Sequence, residues 1–375
     1  MPSVVQFGAG AIGRGLLGQL WQEAGYETVF VDTDAALVDA LNAQKSYSLR
    51  LVDNESEQTL TINNFRALHA RDTQAVFEAL RTCEFAAIAV GRSQVVPLIQ
   101  SLLALGLKKR LKGQLQTPRF LPILLCENGL WDKESAKLTS MVHELGGRRY
   151  YFVSTIVDRM VPPPTPEQVI AEPFGKLSLS WARPDFPQLP HTEHVLDWRT
   201  WPSLLNRKLY LHNGAHALLA FHGLLQGHTF IWQALEDPAI RSELEQFWDE
   251  VTAALCQQHK QQRDVAYETS LFTRLQNRAL GDTCIRVARD PKRKIGGKER
   301  LIKAGKMCLS QGICPEATSR AVAAALHHPD LRLFVSEFGI ERALQQFSDL
   351  PPHHDLTKQI LLAAEALLPA SAVPY

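Results

Sequence analysis

Through about residue 160 the chain alternates short aliphatic or β-branched runs with stretches whose apolar positions recur at helical spacing, the pattern of a parallel sheet with crossover helices. SVVQF (3–7), TVFVD (28–32), FAAIAV (85–90), FLPILL (120–125) and YYFVST (150–155) predict strands. Helices are expected at 12–23, 35–43, 74–80, 94–105 and 130–145. Between residues 46 and 66 apolar and polar positions alternate around a polar turn, which predicts a hairpin inserted into the wound sheet.

The prolines of RMVPPPTPEQV break this periodicity, and KLSLSW (176–181) predicts one further strand. From about residue 200 the apolar spacing is helical, at 201–226, 238–258, 298–312, 315–327, 331–346 and 355–368. The expected fold is α/β: a Rossmann-type doubly wound sheet domain, residues 1–196, followed by an all-α C-terminal domain, residues 197–375.

Composition narrows the partners. Lys+Arg number 40 against Asp+Glu 39, so no global field draws in nucleic acid or an anionic membrane, and any basic site must be local. The six cysteines, at 83, 126, 256, 284, 308 and 314, form no CxxC pair and lack the density of a disulfide scaffold. Apolar runs are too short for the roughly 20 residues of a membrane span. The first basic residue, Arg14, follows the N-terminal apolar stretch instead of preceding it, unlike a signal peptide. Together these features predict a cytoplasmic protein, a monomer or small homo-oligomer, with a small molecule as partner.

FGAGAIGRG follows the first predicted strand and opens the first helix, with Gly8, Gly10 and Gly13 in G-x-G-x-x-G spacing. The first glycine permits the tight turn, the second gives a pyrophosphate room, and the third lets helix and strand approach. Asp32, nineteen residues beyond Gly13, ends the second strand where a carboxylate accepts from ribose hydroxyls and repels a 2′-phosphate. NAD is therefore the expected cofactor, held by Phe7, Gly8, Gly10, Ala11, Ile12, Gly13 and Asp32, with Val90 and Gly91 from the strand at 85–90 on the same edge.

KLYLHNGAH (208–216) sets polar residues into aliphatic surroundings. Helical steps of about 100° put His212, His216 and Asn213 at about 40°, 80° and 140° from Lys208, along one flank. A zinc reading by His212 and His216 lacks the glutamate of H-E-x-x-H and an obvious third ligand, so no metal is expected. Two readings remain: a polar seam with a snorkelling lysine, or a partly desolvated Lys208 that exchanges a proton with an alcohol, assisted by Asn213 and His216. CENG (126–129) places Asn128 beyond a strand end, on the edge where wound sheets bind ligands, or in an ordinary Asn-Gly turn.

FGAGAIGRG, AVG (89–91), CENG, VDRMVPP (157–163), RKLYLHNGAH (207–216) and RDPKRKIGGKERLI (289–302), in this order, resemble the polyol-specific long-chain dehydrogenases over most of the chain. The resemblance implies zinc-independent interconversion of mannitol 1-phosphate and fructose 6-phosphate with NAD, or the action of relatives on unphosphorylated polyols or hexuronates. It further implies that Lys208 is the general acid/base and that Asn213 and Asn128 form the hole for an alkoxide-like oxygen, with His216 nearby. Ala11 departs from the asparagine frequent in this family's turn. A β-hydroxyacid dehydrogenase and a non-catalytic NAD-binding sensor are the rival expectations. Asp158 and Arg159 either contact substrate or form a structural pair. In the basic segment Arg293, Lys294 and Arg300 are the expected phosphate ligands, because guanidinium forks suit phosphate, although charge runs are commonly solvated surface.

Overall fold

The chain winds outward from β1 (Ser3–Phe7), whose Val4, Val5 and Phe7 are fully buried, as a parallel strand covered on both faces requires. Gln6, also buried, is satisfied locally: its Nε2 donates to the Phe7 carbonyl and its Oε1 accepts from Trp21 Nε1. The computed structural model describes residues 1–110, 120–127, 132–145, 150–180, 186, 189–195, 197 and 199–367, with backbone alone at 109–110 and 132–135. It divides into two compact units, Met1–Trp201 and Pro202–Tyr375.

In the first unit an eight-stranded sheet has the order β11-β10-β8-β7-β6-β1-β2-β5. Its further strands are β2 (Glu27–Asp32), β5 (Phe65–His69), β6 (Phe85–Ile88), β7 (Leu121–Leu125), β8 (Tyr150–Asp158), β10 (Lys176–Ser180) and β11 (Thr192–Val195). Pairing is parallel from β5 to β8, and β10 runs antiparallel to β8. β1 lies between β2 and β6, so the strand order reverses there, and the carboxyl ends of β1 and β6 flank the crevice where such sheets bind ligands.

The hairpin β3 (Tyr47–Val52) and β4 (Glu57–Ile62) forms as the alternation predicts, but joins β9 (Gln168–Ala171) in a separate three-stranded sheet. Residues 65–69 are no part of the hairpin: β5 returns to the main sheet beside β2. β5, β9 and β11 escaped the sequence pattern because their few residues are largely part-exposed, unlike those of the equally short β1 and β6.

Among the described residues this unit is covered by the α-helices α1 (Gly18–Glu23), α2 (Ala35–Gln44), α3 (Thr73–Thr82), α4 (Arg92–Leu98), α5 (Ala104–Arg110) and α6 (Asp132–Glu144). The helix predicted at 94–105 is continuous but irregular, with a π turn (Ile99–Leu103) between α4 and α5. Pro97 has no N–H to give the preceding turn, which is the physical reason for a local change of ladder there. A second π turn (Gly13–Leu17) leads into α1.

The second unit is helical: α7 (Trp201–Arg207), a π turn (Lys208–His212), α8 (Asn213–Leu225), α9 (Ile231–Glu236), α10 (Pro238–His259), α11 (Val265–Leu275), α12 (Cys284–Ala288), α13 (Pro291–Lys294), α14 (Arg300–Ser310), α15 (Glu316–Leu326), α16 (Pro329–Phe338), α17 (Ile340–Ser348) and α18 (Asp355–Leu367). α8 is apolar nearly all round and packs against α9, α10, α12 and α15, as an enclosed central helix must. The single helix expected at 331–346 is two, because Gly339 at φ 83° ends α16 and starts α17. α9, α11, α12 and α13 were not anticipated; α9, α12 and α13 span six residues or fewer, too short for a periodicity to register.

Candidate active site

Each glycine of the first turn is required for a different reason. Gly8 has φ 91°, and a Cβ there would lie 2.2 Å from the Ala89 carbonyl oxygen; a Cβ on Gly13 would lie 2.0 Å from the Gly8 carbonyl oxygen. Around Gly10 nothing lies within 4 Å of the added carbon, so the space the backbone leaves there is available to a ligand. A cavity of about 670 Å³ opens at this point, lined among others by Phe7, Gly8, Gly10, Asp32 and Val90. These residues fit a dinucleotide: a backbone cradle for phosphates followed by a carboxylate at the end of the next strand.

Asp32 is fixed by the turn it serves, its Oδ2 accepting from Ala9 N (2.7 Å) and its Oδ1 from Asp34 N (3.0 Å). Ala11, Ile12, Gly13 and Gly91, the other expected cofactor residues, do not line the cavity: Ala11 and Ile12 pack on the core, and Gly13 supplies close approach. Thr33, Arg71 and Gln94 line it without having been singled out. Arg71 lies just past β5, and a reading of β5 as a sheet strand would have placed it on the ligand edge.

At the same edge, Glu127 Oε1 accepts from the backbone N–H of Gly91 at 2.5 Å, joining the segment after β7 to the one after β6. Burial pushes the Glu127 carboxyl up to about 7 despite the hydrogen bonds from Gly91 and Val90. Asn128, the expected strand-end donor, lies outside the described residues.

Asp158 is the last residue of β8 and is buried. Arg159, also buried, ties its segment to α1 and the turn before it: Nη1 donates to the Gly15 carbonyl (2.9 Å) and Gln19 Oε1 (2.7 Å), Nε to the Phe174 carbonyl (3.0 Å), and Nη2 to the Pro173 carbonyl (3.2 Å). Of the two readings of Arg159, this geometry favours the structural one. Arg14, fully buried, works similarly from the glycine turn, donating to the carbonyls of Ala9, Thr165 and Pro166.

In the second unit the candidate proton-transfer residues lie where the helix changes type. Lys208 opens the π turn, and Asn213 N–H closes it on the Lys208 carbonyl. Uniform 100° steps therefore do not apply to this segment, a correction to the flank inferred from the sequence. π turns inside helices are frequent at functional sites because the wider turn redirects side chains. Trp248 Nε1 donates to the Leu211 carbonyl at 3.2 Å, holding the turn to α10.

Lys208 Nζ lies 2.9 Å from Nδ1 of His212, which is 2% exposed. His212, to which the resemblance gives no role, is thus a hydrogen-bond partner of the lysine; the i,i+4 spacing was the signal for it. Asn213 is buried at the start of α8. His216 Nε2 lies 2.9 Å from Asp282 Oδ2, and the two imidazole rings are 6.4 Å apart. Among the described residues no group of three or more His, Cys, Asp or Glu is placed to hold a metal ion.

The basic segment is only partly solvated. Arg293 is half-exposed and paired with Asp290 and Glu299. Lys294 and Arg300 are buried. Lys294 Nζ donates to the Arg289 carbonyl, and burial, together with the charges of Arg300 and Arg293, pulls its pKa down to about 7. Arg300 donates to Glu299 through Nη2, whereas its buried Nε has no hydrogen-bond partner among the described residues. Two neighbouring buried cations with an unsatisfied donor suit an anion. α14, which begins at Arg300, packs against the Lys208–His212 turn.

The chain is similar to known proteins over most of its length. Residues 2–181 match the family described as mannitol dehydrogenase Rossmann domain, and residues 203–331 match mannitol dehydrogenase C-terminal domain. The chain is similar to mannitol-1-phosphate 5-dehydrogenases of Brevibacillus brevis (31% identity, 97% of each chain covered) and Streptococcus mutans (29% identity, 98% of this chain and all of the relative). Among solved structures it shares its fold with Pseudomonas fluorescens mannitol 2-dehydrogenase in ternary complex with NAD and D-mannitol (TM-score 0.76, 14% identity, covering 98% of this chain and 92% of the other). A D-sorbitol dehydrogenase in substrate-free form has the same fold (TM-score 0.71, 16% identity, covering 98% and 93%). Among the described residues no helix is long and apolar enough to cross a membrane.

Proposed function

Because the chain belongs to the mannitol dehydrogenase family of NAD-dependent oxidoreductases, we propose that it interconverts D-mannitol 1-phosphate and D-fructose 6-phosphate, with Lys208 as general acid/base and without a metal. The observation that carries this reading is the packing of α14 on the π turn: the helix bearing buried Arg300 lies against the turn bearing Lys208, so one unit supplies both a phosphate-compatible cationic cluster and a proton-transfer group. The names of the similar proteins support the phosphorylated substrate.

NAD, which the glycine turn at Gly8 and Gly10 and the Asp32 carboxylate would hold, would supply the acceptor for the hydride of the carbinol carbon. The neutral amine of Lys208 accepts the hydroxyl proton in that direction, and the ammonium returns it to the carbonyl oxygen in the reverse. Asn213 donates to the oxygen as its charge develops, most effectively when oriented beforehand; Asn128, to which the resemblance assigns the same role, lies outside the described residues. Asn213 is buried in helix, which restricts its side chain in this way. His216 orients a substrate hydroxyl. Lys294 and Arg300, with Arg293 at the exposed edge, bind the phosphate, and Asp158 belongs to the polar surroundings of the substrate.

NADH oxidation with fructose 6-phosphate, fructose, a hexuronate and a 3-keto acid, compared side by side, tests the assignment. Turnover is expected with fructose 6-phosphate; a comparable kcat/KM with any of the others would overturn it. Lys208→Ala should abolish most of kcat while leaving NADH affinity nearly intact, and near-normal turnover would remove the lysine from its role.

A further inference from the structure

Asp282 appears in none of the motifs above, yet it is the residue in contact with His216. It is 4% exposed and sits at the turn before α12, which packs against α8. The turn is held on several sides. Gly281 adopts φ 62°, the Asp282 carbonyl accepts from Ile231 N (2.9 Å), Cys284 N donates to the Thr229 carbonyl (2.8 Å), and Thr283 bridges to Phe230.

The two carboxylate oxygens have different partners: Oδ1 accepts from Arg286 Nε (2.8 Å) and Nη2, and Oδ2 faces His216 Nε2 (2.9 Å). Burial alone would raise the pKa of Asp282; the neighbouring His216 and Arg286 more than offset it and hold the carboxyl below the usual carboxylate range. An ionised carboxylate only accepts hydrogen bonds, so the nitrogen facing it must carry the proton. In a neutral imidazole the other nitrogen, Nδ1, is then an acceptor.

We propose that Asp282 is a positioning residue for the reaction: it fixes the His216 ring and keeps its proton on Nε2, so that Nδ1 accepts a hydrogen bond from a substrate hydroxyl. The inference rests on the reading of His216 as a substrate-orienting group. Asp282 acts at one remove, in the way a buried carboxylate selects the tautomer of a working histidine elsewhere. Arg286 keeps the carboxylate charged, so that it remains an acceptor.

The test is a double-mutant cycle on kcat/KM for mannitol 1-phosphate with NAD. Asp282→Asn is expected to lower kcat/KM at least about tenfold, and the same change in a His216→Gln background by less than about twofold, because residues acting as a unit are non-additive. A purely structural Asp282 would cost the same in both backgrounds, and that result overturns the proposal. Ring ¹⁵N spectra of the intact wild-type protein give a readout independent of turnover and of the folding of any aspartate variant. The His216 signals, assigned by their loss in His216→Gln, should show the proton on Nε2, and a proton on Nδ1 instead would refute the assignment. If wild-type enzyme fails to turn over mannitol 1-phosphate while the spectra show the Nε2–H form, the proposed substrate is wrong and the Asp282–His216 arrangement stands.

Discussion

At the scale of single residues, the pairing of Lys208 with His212 is the contact most open to experiment. An ammonium can only donate, so while Lys208 is charged, His212 Nδ1 must present its lone pair. A neutral Lys208 can instead accept from an Nδ1–H. The histidine therefore holds Nζ in place in both protonation states, which a purely apolar neighbour cannot do. His212→Leu removes that partner while preserving buried volume reasonably well. It should lower kcat about tenfold, less than the roughly hundredfold to ten-thousandfold attributed to a proton-transfer group itself because His212 acts through Lys208, and shift KM for substrate less than about twofold. Steady-state kinetics in both directions check this, and an unchanged kcat would show that the contact with His212 does not position Lys208 for the reaction.

At the scale of elements, the glycine turn separates folding from cofactor binding. Gly10→Ala adds a carbon where nothing lies within 4 Å, so unfolding in urea should change by no more than about 0.5 kcal/mol while NAD affinity falls at least about tenfold. Gly13→Ala drives a carbon to 2.0 Å from the Gly8 carbonyl oxygen, and this overlap should cost about 1–3 kcal/mol of stability as well as affinity. Parallel urea and NAD titrations distinguish the two. Buried strands, and helices long enough to show a period, were legible: β1, β2, α2 and α10 fall where their patterns predict. The motif residues Gly8, Gly10 and Asp32 were legible because chemistry dictates their spacing, and all three line the cavity. The π turn at Lys208 was not, because nothing in KLYLH breaks a helix; its departure is sustained by tertiary partners such as Trp248. Asp282 was invisible for a related reason: it lies 66 residues from the histidine it holds, and its role exists only once α12 packs on α8.

At the scale of the whole molecule, the two units should answer pH in opposite senses. Glu127, in the first, is raised from 4.5 to about 7, so over that interval the folded chain keeps a proton that the unfolded chain has lost. Its contribution to stability is full below about pH 4.5 and disappears as pH rises through about 7. Lys294, in the second, is lowered from 10.5 to about 7, so the unfolded chain holds the extra proton and stability rises with pH between those values. Hydrogen exchange at amides of β6 and β7, and separately of α13 and α14, should therefore show protection falling in the first group from about pH 5 to 7 and rising in the second from about pH 7 to 9. Glu127→Gln should flatten the first trend alone, and Lys294→Met the second. The same lysine links stability to substrate: a phosphate dianion beside Lys294 favours the ammonium, so binding near pH 8 should take up a proton. Calorimetry of mannitol 1-phosphate binding in buffers of different ionisation enthalpy would measure that uptake. Its loss in Lys294→Met, with KM raised at least about tenfold, is the expected outcome. Identical proton uptake in variant and wild type would place the phosphate elsewhere.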